Sequence, residues 1–348
     1  MRVNLRGAIW VTSLLLVLVA APTLLRAAPP QDKPSPYAPS SEATRQSLEK
    51  AATAGDVGAM TDLGELYYEG KEVPQDYQKA KDWWEKGAAA GNAQAMTNLG
   101  VLYYQGLGVP QDYEEARRRF EQAATAGNAQ AMTNLGTLYH KGLGVPQDDK
   151  RSKDWTDKAA AAGNAMAMRN LGIMYQAGQV VPQDSHEARV WFEKAAAGGD
   201  AEAMRSLGAM YHEGLGVPQD DHQAKEWYEK AAKAGESEAM TNLGYMYEQG
   251  RGVPRDYVKA KEWYEMAAAS GNAVAMRNLG ILYHTGEGMP QDDYEARGWI
   301  EKAAAAGDGE SQEALKTIPS VPSNPDAQSH YVLAVAADHQ GDVDKAIV

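Results

Sequence analysis

The chain of 348 residues contains no cysteine. Disulfide staples, thiolate nucleophiles and zinc–thiolate sites are therefore excluded, because each needs that sulfur. Phenylalanine is nearly missing as well, with two residues against 18 tyrosines and 8 tryptophans. The aromatics thus carry hydroxyl and indole N–H groups that need hydrogen-bond partners when buried. Positive charge is short: 34 Lys and Arg stand against 47 Asp and Glu, a formal net of −13. Arg2, Arg6 and Arg26 precede the first acidic residue, and without them the remainder is net −16. Such a surface repels phosphate backbones and anionic headgroups, which excludes nucleic acid and membrane surfaces as expected partners. Hydrophobic residues make up 44% of the chain, much of it alanine, which suits close-set helices better than a thick globular core.

What is abundant is repetition. A methionine preceded by alanine recurs every 36 residues, as Met60, Met96, Met132, Met168, Met204, Met240 and Met276, with no insertion or deletion. A fixed period of this size marks a stacked solenoid, whose units bury their apolar faces only against neighbours. In the unit from Asn92 to Gly127, Met96, Leu99, Gly100 and Tyr103 fall at i, i+3, i+4 and i+7, one face of a helix. Gly106 is placed to end that helix, and Gly108, Val109 and Pro110 make a tight connector. Asp112 is the expected N-cap of a second helix, with Glu115 completing a capping-box-like pair. Ala116, Phe120, Ala123 and Ala124 point that helix inward, and Gly127 stops it. Each unit is thus two antiparallel helices of roughly twelve to fourteen residues.

Gly100 recurs mid-helix as Gly64, Gly136, Gly172, Gly208, Gly244 and Gly280. Glycine there costs about 1 kcal/mol against alanine, so close approach of the second helix is expected. Ala116 and its equivalents, with Ser152 in the third unit, are the expected neighbours. Trp83, Trp155, Trp191, Trp227, Trp263 and Trp299 recur on the second helix, where packing between units is expected.

The ends differ. Arg2 and Arg6 precede an uncharged apolar run from Gly7 to Leu25, the pattern of an export signal. At 19 residues the run also approaches the length of a spanning helix. Residues 1–28 are therefore read as a signal peptide or a retained N-terminal anchor, and both place the repeats outside the cytoplasm, periplasmic or otherwise extracytoplasmic. Residues 29–40, with Pro29, Pro30, Pro34, Pro36 and Pro39, read as a semi-rigid linker. From Ser41, a candidate N-cap, a single helix to Gly55 caps the array, and the solenoid with its caps is assigned to 41–318. In the last unit Gln312 and Lys316 replace the buried methionine and glycine, as expected where an array closes. Residues 319–328 form a second linker. Residues 329–348, with Leu333, Ala334, Gly341 and Ala346, look like part of a tetratricopeptide unit, either truncated or completed by another surface.

The recurring pattern A-M-x-N-L-G-x-x-Y-x-x-G-x-G-V-P-Q-D-x-x-x-A-x-x-W-x-E-K-A-A-x-x-G resembles the Sel-one-like repeat family, a branch of the tetratricopeptide superfamily. The resemblance implies an all-α, right-handed superhelical solenoid of helix–turn–helix units that scaffolds protein complexes, often outside the cytoplasm in bacteria. A cysteine-rich subgroup has disulfides and reported penicillin binding, and those properties do not carry over to a chain without cysteine.

No chemistry assembles from the sequence. The G-L-G-V-P-Q-D loops follow helices and carry a proline where a phosphate loop needs backbone N–H groups. His140, His212 and His284 stand 72 residues apart, beyond any shared metal. Asn98, Asn134, Asn170, Asn242 and Asn278 are too regular for one active site, and are expected to bond backbone between helices. No enzyme activity, cofactor or metal is expected.

The resemblance also implies a binding face. Related solenoids line a concave surface with the exposed side of each first helix. Alignment on L-G-x-x-Y places Thr97, Val101, Tyr104 and Gln105 there, followed by Thr133, Thr137 and His140. Arg169, Ile173 and Gln176 come next, then Arg205, Ala209 and His212. Thr241, Tyr245 and Glu248, and finally Arg277, Ile281 and His284, complete the set. Near-identical units differ most at these offsets. Arg169, Arg205 and Arg277 beside Ile173, Tyr245 and Ile281 suit the carboxylates and apolar groups of an extended peptide. The expectation is a monomeric, exported, non-enzymatic scaffold for a protein or peptide, touching membrane only through an uncleaved N-terminal helix. A cell-wall or carbohydrate-binding module, using groove tyrosines as sugar platforms, is the alternative.

Overall fold

The computed structural model describes residues 42–70 and 73–315, and among them are sixteen α-helices and no strand. Residues 1–41 and 316–348, which hold the export segment, both linkers, Lys316 and the partial last unit, lie outside the described residues. No described helix is long and apolar enough to cross a membrane. The chain divides into two compact units, 1–200 and 201–348.

The first unit holds α1 (Glu42–Thr53), α2 (Val57–Glu69), α3 (Tyr77–Ala89), α4 (Ala93–Gln105), α5 (Tyr113–Thr125), α6 (Ala129–Lys141), α7 (Asp149–Ala161), α8 (Ala165–Ala177) and α9 (Ser185–Ala197). The second holds α10 (Ala201–Glu213), α11 (Asp221–Lys233), α12 (Ser237–Gln249), α13 (Tyr257–Ala269), α14 (Ala273–Thr285), α15 (Asp293–Ala305) and α16 (Gly309–Ala314). The even-numbered helices from α2 to α14 open the repeats, and the odd ones from α3 to α15 close them. Every one of these is 13 residues long.

Polar residues set the boundaries. Asn92 caps α4 by accepting the Ala95 N–H at 2.8 Å, and Asp112 caps α5 by accepting that of Glu115 at 2.9 Å. Gly106 closes α4 with φ of 72°, a left-handed conformation that glycine adopts without strain. Between the helices Leu99, Leu102, Phe120, Ala123 and Leu135 are fully buried. The signature methionines behave differently from the expected core: Met96 and Met132 are half-buried, each against two successive core clusters. An unbranched thioether suits such a seam, because it adapts to both sides.

The mid-helix glycine does mark a close approach, but the neighbour differs from the expected alanine. A Cβ on Gly172 would lie 2.7 Å from Phe192, and one on Gly208 would lie 2.6 Å from Tyr228. The side chain one turn beyond the alanine, a ring in five of the seven repeats, lies against the glycine. The recurring tryptophans are half-buried, and Trp155 and Trp191 reach neighbouring clusters as expected. In five of the six, Trp263 with Met266 being the exception, a lysine three residues on lies over the ring, as Lys86 over Trp83 at 3.9 Å, Lys194 over Trp191 at 3.9 Å and Lys302 over Trp299 at 4.0 Å.

Candidate partner-binding face

The opening helices carry the candidate residues, and the structure sorts them into buried and accessible. Thr97 and Val101 are 0% and 1% exposed, and Thr133, Arg169, His212, Thr241 and Arg277 are buried as well. Their expected place on an open surface is corrected by what lies beside them. The threonine hydroxyls turn back on their own helices, Thr97 donating to the Ala93 carbonyl at 2.8 Å and Thr133 to Ala129 at 3.0 Å. In the three repeats with arginine there, the guanidinium reaches the residue just before the next opening helix. Arg169 pairs with Asp200 at 3.3 Å, Arg205 with Glu236 at 3.6 Å and Arg277 with Asp308 at 3.1 Å. Arg205 also meets Glu238 at 3.1 Å, and Arg277 also meets Glu310. These arginines are tied within the array rather than presented to a partner's carboxylates.

The sequence holds a signal for this that single-position reading misses. Where the strut residue is Thr61, Thr97, Thr133 or Thr241, the next cap is Asn92, Asn128, Asn164 or Asn272. Where it is Arg169, Arg205 or Arg277, that position is Asp200, Glu236 or Asp308. A buried cation requires an anion beside it, so the two positions change together.

A second pairing explains the histidines. His140 Nδ1 lies 2.8 Å from Asp149, His212 2.5 Å from Asp221 and His284 2.6 Å from Asp293, the acid opening each closing helix. In the second repeat Tyr104 meets Tyr113 edge-on at 5.4 Å, and in the first Tyr68 meets Tyr77 at 5.5 Å. Burial, and then Tyr113, push the Tyr104 phenol above its ordinary value. Glu248 accepts the Tyr264 hydroxyl at 2.7 Å, and burial followed by Glu248 holds that phenol well above the ordinary range. These contacts clasp the two helices of one repeat.

The asparagines depart from the expected backbone role. Asn98 and Asn134 accept Gln94 and Gln130 side-chain amides at 2.8 and 3.1 Å. Among the described residues no cluster of three or more His, Asp or Glu could hold a metal ion. The accessible candidates are Tyr104, His140, Ile173 and Gln176, with Thr137 beside them, in the first unit; Arg205, Ala209, Tyr245, Glu248 and Ile281 are half-buried and His284 exposed in the second. What is left open is thus more apolar and less cationic than the full set of offsets.

The repeat profile of the Sel1 family matches seven consecutive segments, 57–92, 93–128, 129–164, 165–200, 201–236, 237–272 and 273–308. The chain belongs to the Sel1 repeat family. That family has a solenoid fold, typically a protein–protein interaction scaffold and generally non-catalytic. Among solved structures, a Sel1 repeat protein from Oxalobacter formigenes is 36% identical, with a TM-score of 0.66 over 71% of this chain and 99% of that one. A protective antigen present in uropathogenic Escherichia coli strains, with an SLR fold, is 34% identical with a TM-score of 0.64. The match covers 82% of this chain but 62% of the antigen, so the chain spans under two thirds of that relative's length. Comparison with curated proteins gives no match.

Proposed function

We propose that this Sel1 repeat protein is an exported, monomeric, non-catalytic scaffold that holds a segment of another protein along the accessible side of its opening helices. The carrying observation is the same contrast on the opening helices of each unit. Thr137 and Ile173 in the first unit, and Ala209, Tyr245 and Ile281 in the second, are partly exposed and change at every repeat. The leucine and glycine positions beside them, and the aspartate that caps each closing helix, stay fixed. Structure accounts for the fixed positions, as core and caps, and gives no reason for the row to vary; recognition of successive side chains of an extended partner does. The strut arginines drop out of the earlier expectation, and apolar contact takes their place.

Export is argued from Arg2, Arg6 and the apolar run from Gly7 to Leu25. Alkaline phosphatase fused behind Ser40 reports it directly: activity supports an extracytoplasmic array, and an inactive fusion refutes it. Binding is tested with the double variant Tyr245→Ala, Ile281→Glu, compared with wild type in a pull-down from envelope extract. Capture is expected to be lost with helicity kept, since changes on an accessible face disturb stability little. Retrieval of the same protein at equal yield would show that this row is not the binding face.

A further inference from the structure

The side chain lying against the mid-helix glycine is large in six of the seven repeats: Trp84, Phe120, Phe192, Tyr228, Tyr264 and Ile300. In the third repeat it is Thr156, over Gly136, and Ser152 replaces the alanine one turn earlier. The Thr156 hydroxyl is turned onto its own helix, donating to the Ser152 carbonyl at 2.8 Å. The volume a ring fills elsewhere is left as a cavity of about 100 Å³ whose lining includes Gly136, His140, Thr156, Asn170, Ile173 and Met174. His140, Asn170 and Ile173 are partly exposed, so the cavity is reached from the variable row described above. An engineered enclosed cavity that admits benzene is larger, about 150 Å³, so a ring enters this one with part of it extending toward the open, variable row.

The same array shows what chemistry fits. Asn278 follows Tyr264 by 14 residues, as Asn170 follows Thr156, and its side chain bonds the Tyr264 hydroxyl that also donates to Glu248. Asn170 stands three repeats before Asn278 in identical register and lines the vacant ring site. An apolar slot between Gly136, Ile173 and Met174 with an amide on its wall matches a phenol: flat ring inward, hydroxyl to the amide. We propose that this cavity receives one phenolic side chain, a tyrosine of the bound partner segment, which takes the place that the chain's own ring occupies in five of the other six repeats. The proposal rests on the scaffold reading for its partner, but its test needs no partner.

The probe is p-cresol, the side chain of tyrosine, titrated into the full chain labelled at Ile and Met methyl groups. Saturable shifts are expected at Ile173 and Met174, with toluene, which lacks the hydroxyl, binding roughly two- to tenfold more weakly, the effect of one hydrogen bond. Thr156→Tyr is expected to rebuild the Tyr228 arrangement, raise the thermal midpoint and abolish the shifts; Thr156→Phe should do the same, as Phe120 does. Three results would overturn the assignment: no saturable shift, shifts that persist in Thr156→Tyr, or toluene binding as tightly as p-cresol. Failure of both Thr156 variants to fold would also overturn it, because the space would then not be a vacant ring site. None of these outcomes touches Tyr245 or Ile281, so loss of this proposal and loss of the scaffold reading are separately visible.

Discussion

Arg277 Nε stands 3.1 Å from Oδ2 of Asp308, the residue whose carboxylate also caps α16 by accepting the Ser311 N–H at 2.8 Å. The guanidinium side chain is 7% exposed and its partner 9%, so neither charge has water as an alternative. Such a pair is costly to break from one side, at about 3–5 kcal/mol, because the remaining ion is stranded. Arg277→Thr and Asp308→Asn are each expected to lower stability, less for the second because Glu310 still meets Arg277. The double variant recreates the Thr97 and Asn128 combination and should recover much of the loss. A double-mutant cycle in chemical denaturation reads this as a coupling of about 1–3 kcal/mol, and additive losses would show that the two residues do not act as a pair.

Gly172→Ala should destabilise although alanine is the better helix former, since the new methyl would sit 2.7 Å from Phe192. Overpacking of this kind costs about 1–3 kcal/mol, more than the roughly 1 kcal/mol gained in propensity. Adding Phe192→Leu should restore part of the thermal midpoint. At Gly136 the nearest obstacles are a Thr156 hydroxyl at 2.9 Å and a carbonyl at 3.2 Å, so Gly136→Ala should be milder. Equal losses at the two glycines would argue that the ring is not the constraint.

Burial pushes the Glu236 carboxyl above the ordinary carboxylate value, against the opposing pull of Arg205 and the Ala239 N–H. A raised carboxyl binds its proton more tightly in the fold than in the open chain. Its contribution to stability is therefore full below the unfolded value, about 4.3, and is lost as pH rises through the higher folded value. The stability of wild type minus that of Glu236→Gln should fall as pH is raised from below the unfolded carboxyl value through the higher folded one. Denaturation of both proteins across that range checks it, and a difference that grows with pH would mean that Arg205 outweighs burial.

The clasp between His140 and Asp149 should be exchangeable as a unit. His140→Tyr with Asp149→Tyr copies the edge-on Tyr104 and Tyr113 contact, and is expected to hold the thermal midpoint near that of wild type. His140→Tyr alone leaves Asp149 facing a ring and should lower it. If the single change is as stable as the double, the two positions are independent.

The period, the helix pairs and their caps were legible because they depend on local residues: Asp112 and Gly106 do their work within a few positions of themselves. The face assignment was only partly legible. Offsets taken from related solenoids locate a helix side, yet they do not show that Thr97 is fully buried or that Arg169 is buried against Asp200, 31 residues further along the chain. The readable trace was in pairs of columns, Thr with Asn against Arg with Asp or Glu, and a column-by-column reading treats that as free variation. Thr156 was missed for a related reason. Its column mixes Trp, Phe, Tyr and Ile, and only the contact with Gly136 and its equivalents shows that all of them fill one space.

The strut has a genealogical consequence. Arg277 and Asp308 both fall within the block 273–308, as Arg169 and Asp200 fall within 165–200 and Thr97 and Asn128 within 93–128. His140 with Asp149, and Gly172 with Phe192, likewise share a block. A tandem duplication or loss of one such block in the gene therefore carries each arginine together with its capping acid, and only the additional contacts of Arg205 with Glu238 and Arg277 with Glu310 cross a block boundary. Lengthening by 36-residue steps is open to this chain in a single recombination event, whereas a crossover between Arg277 and Asp308 would have to be repaired by a second mutation.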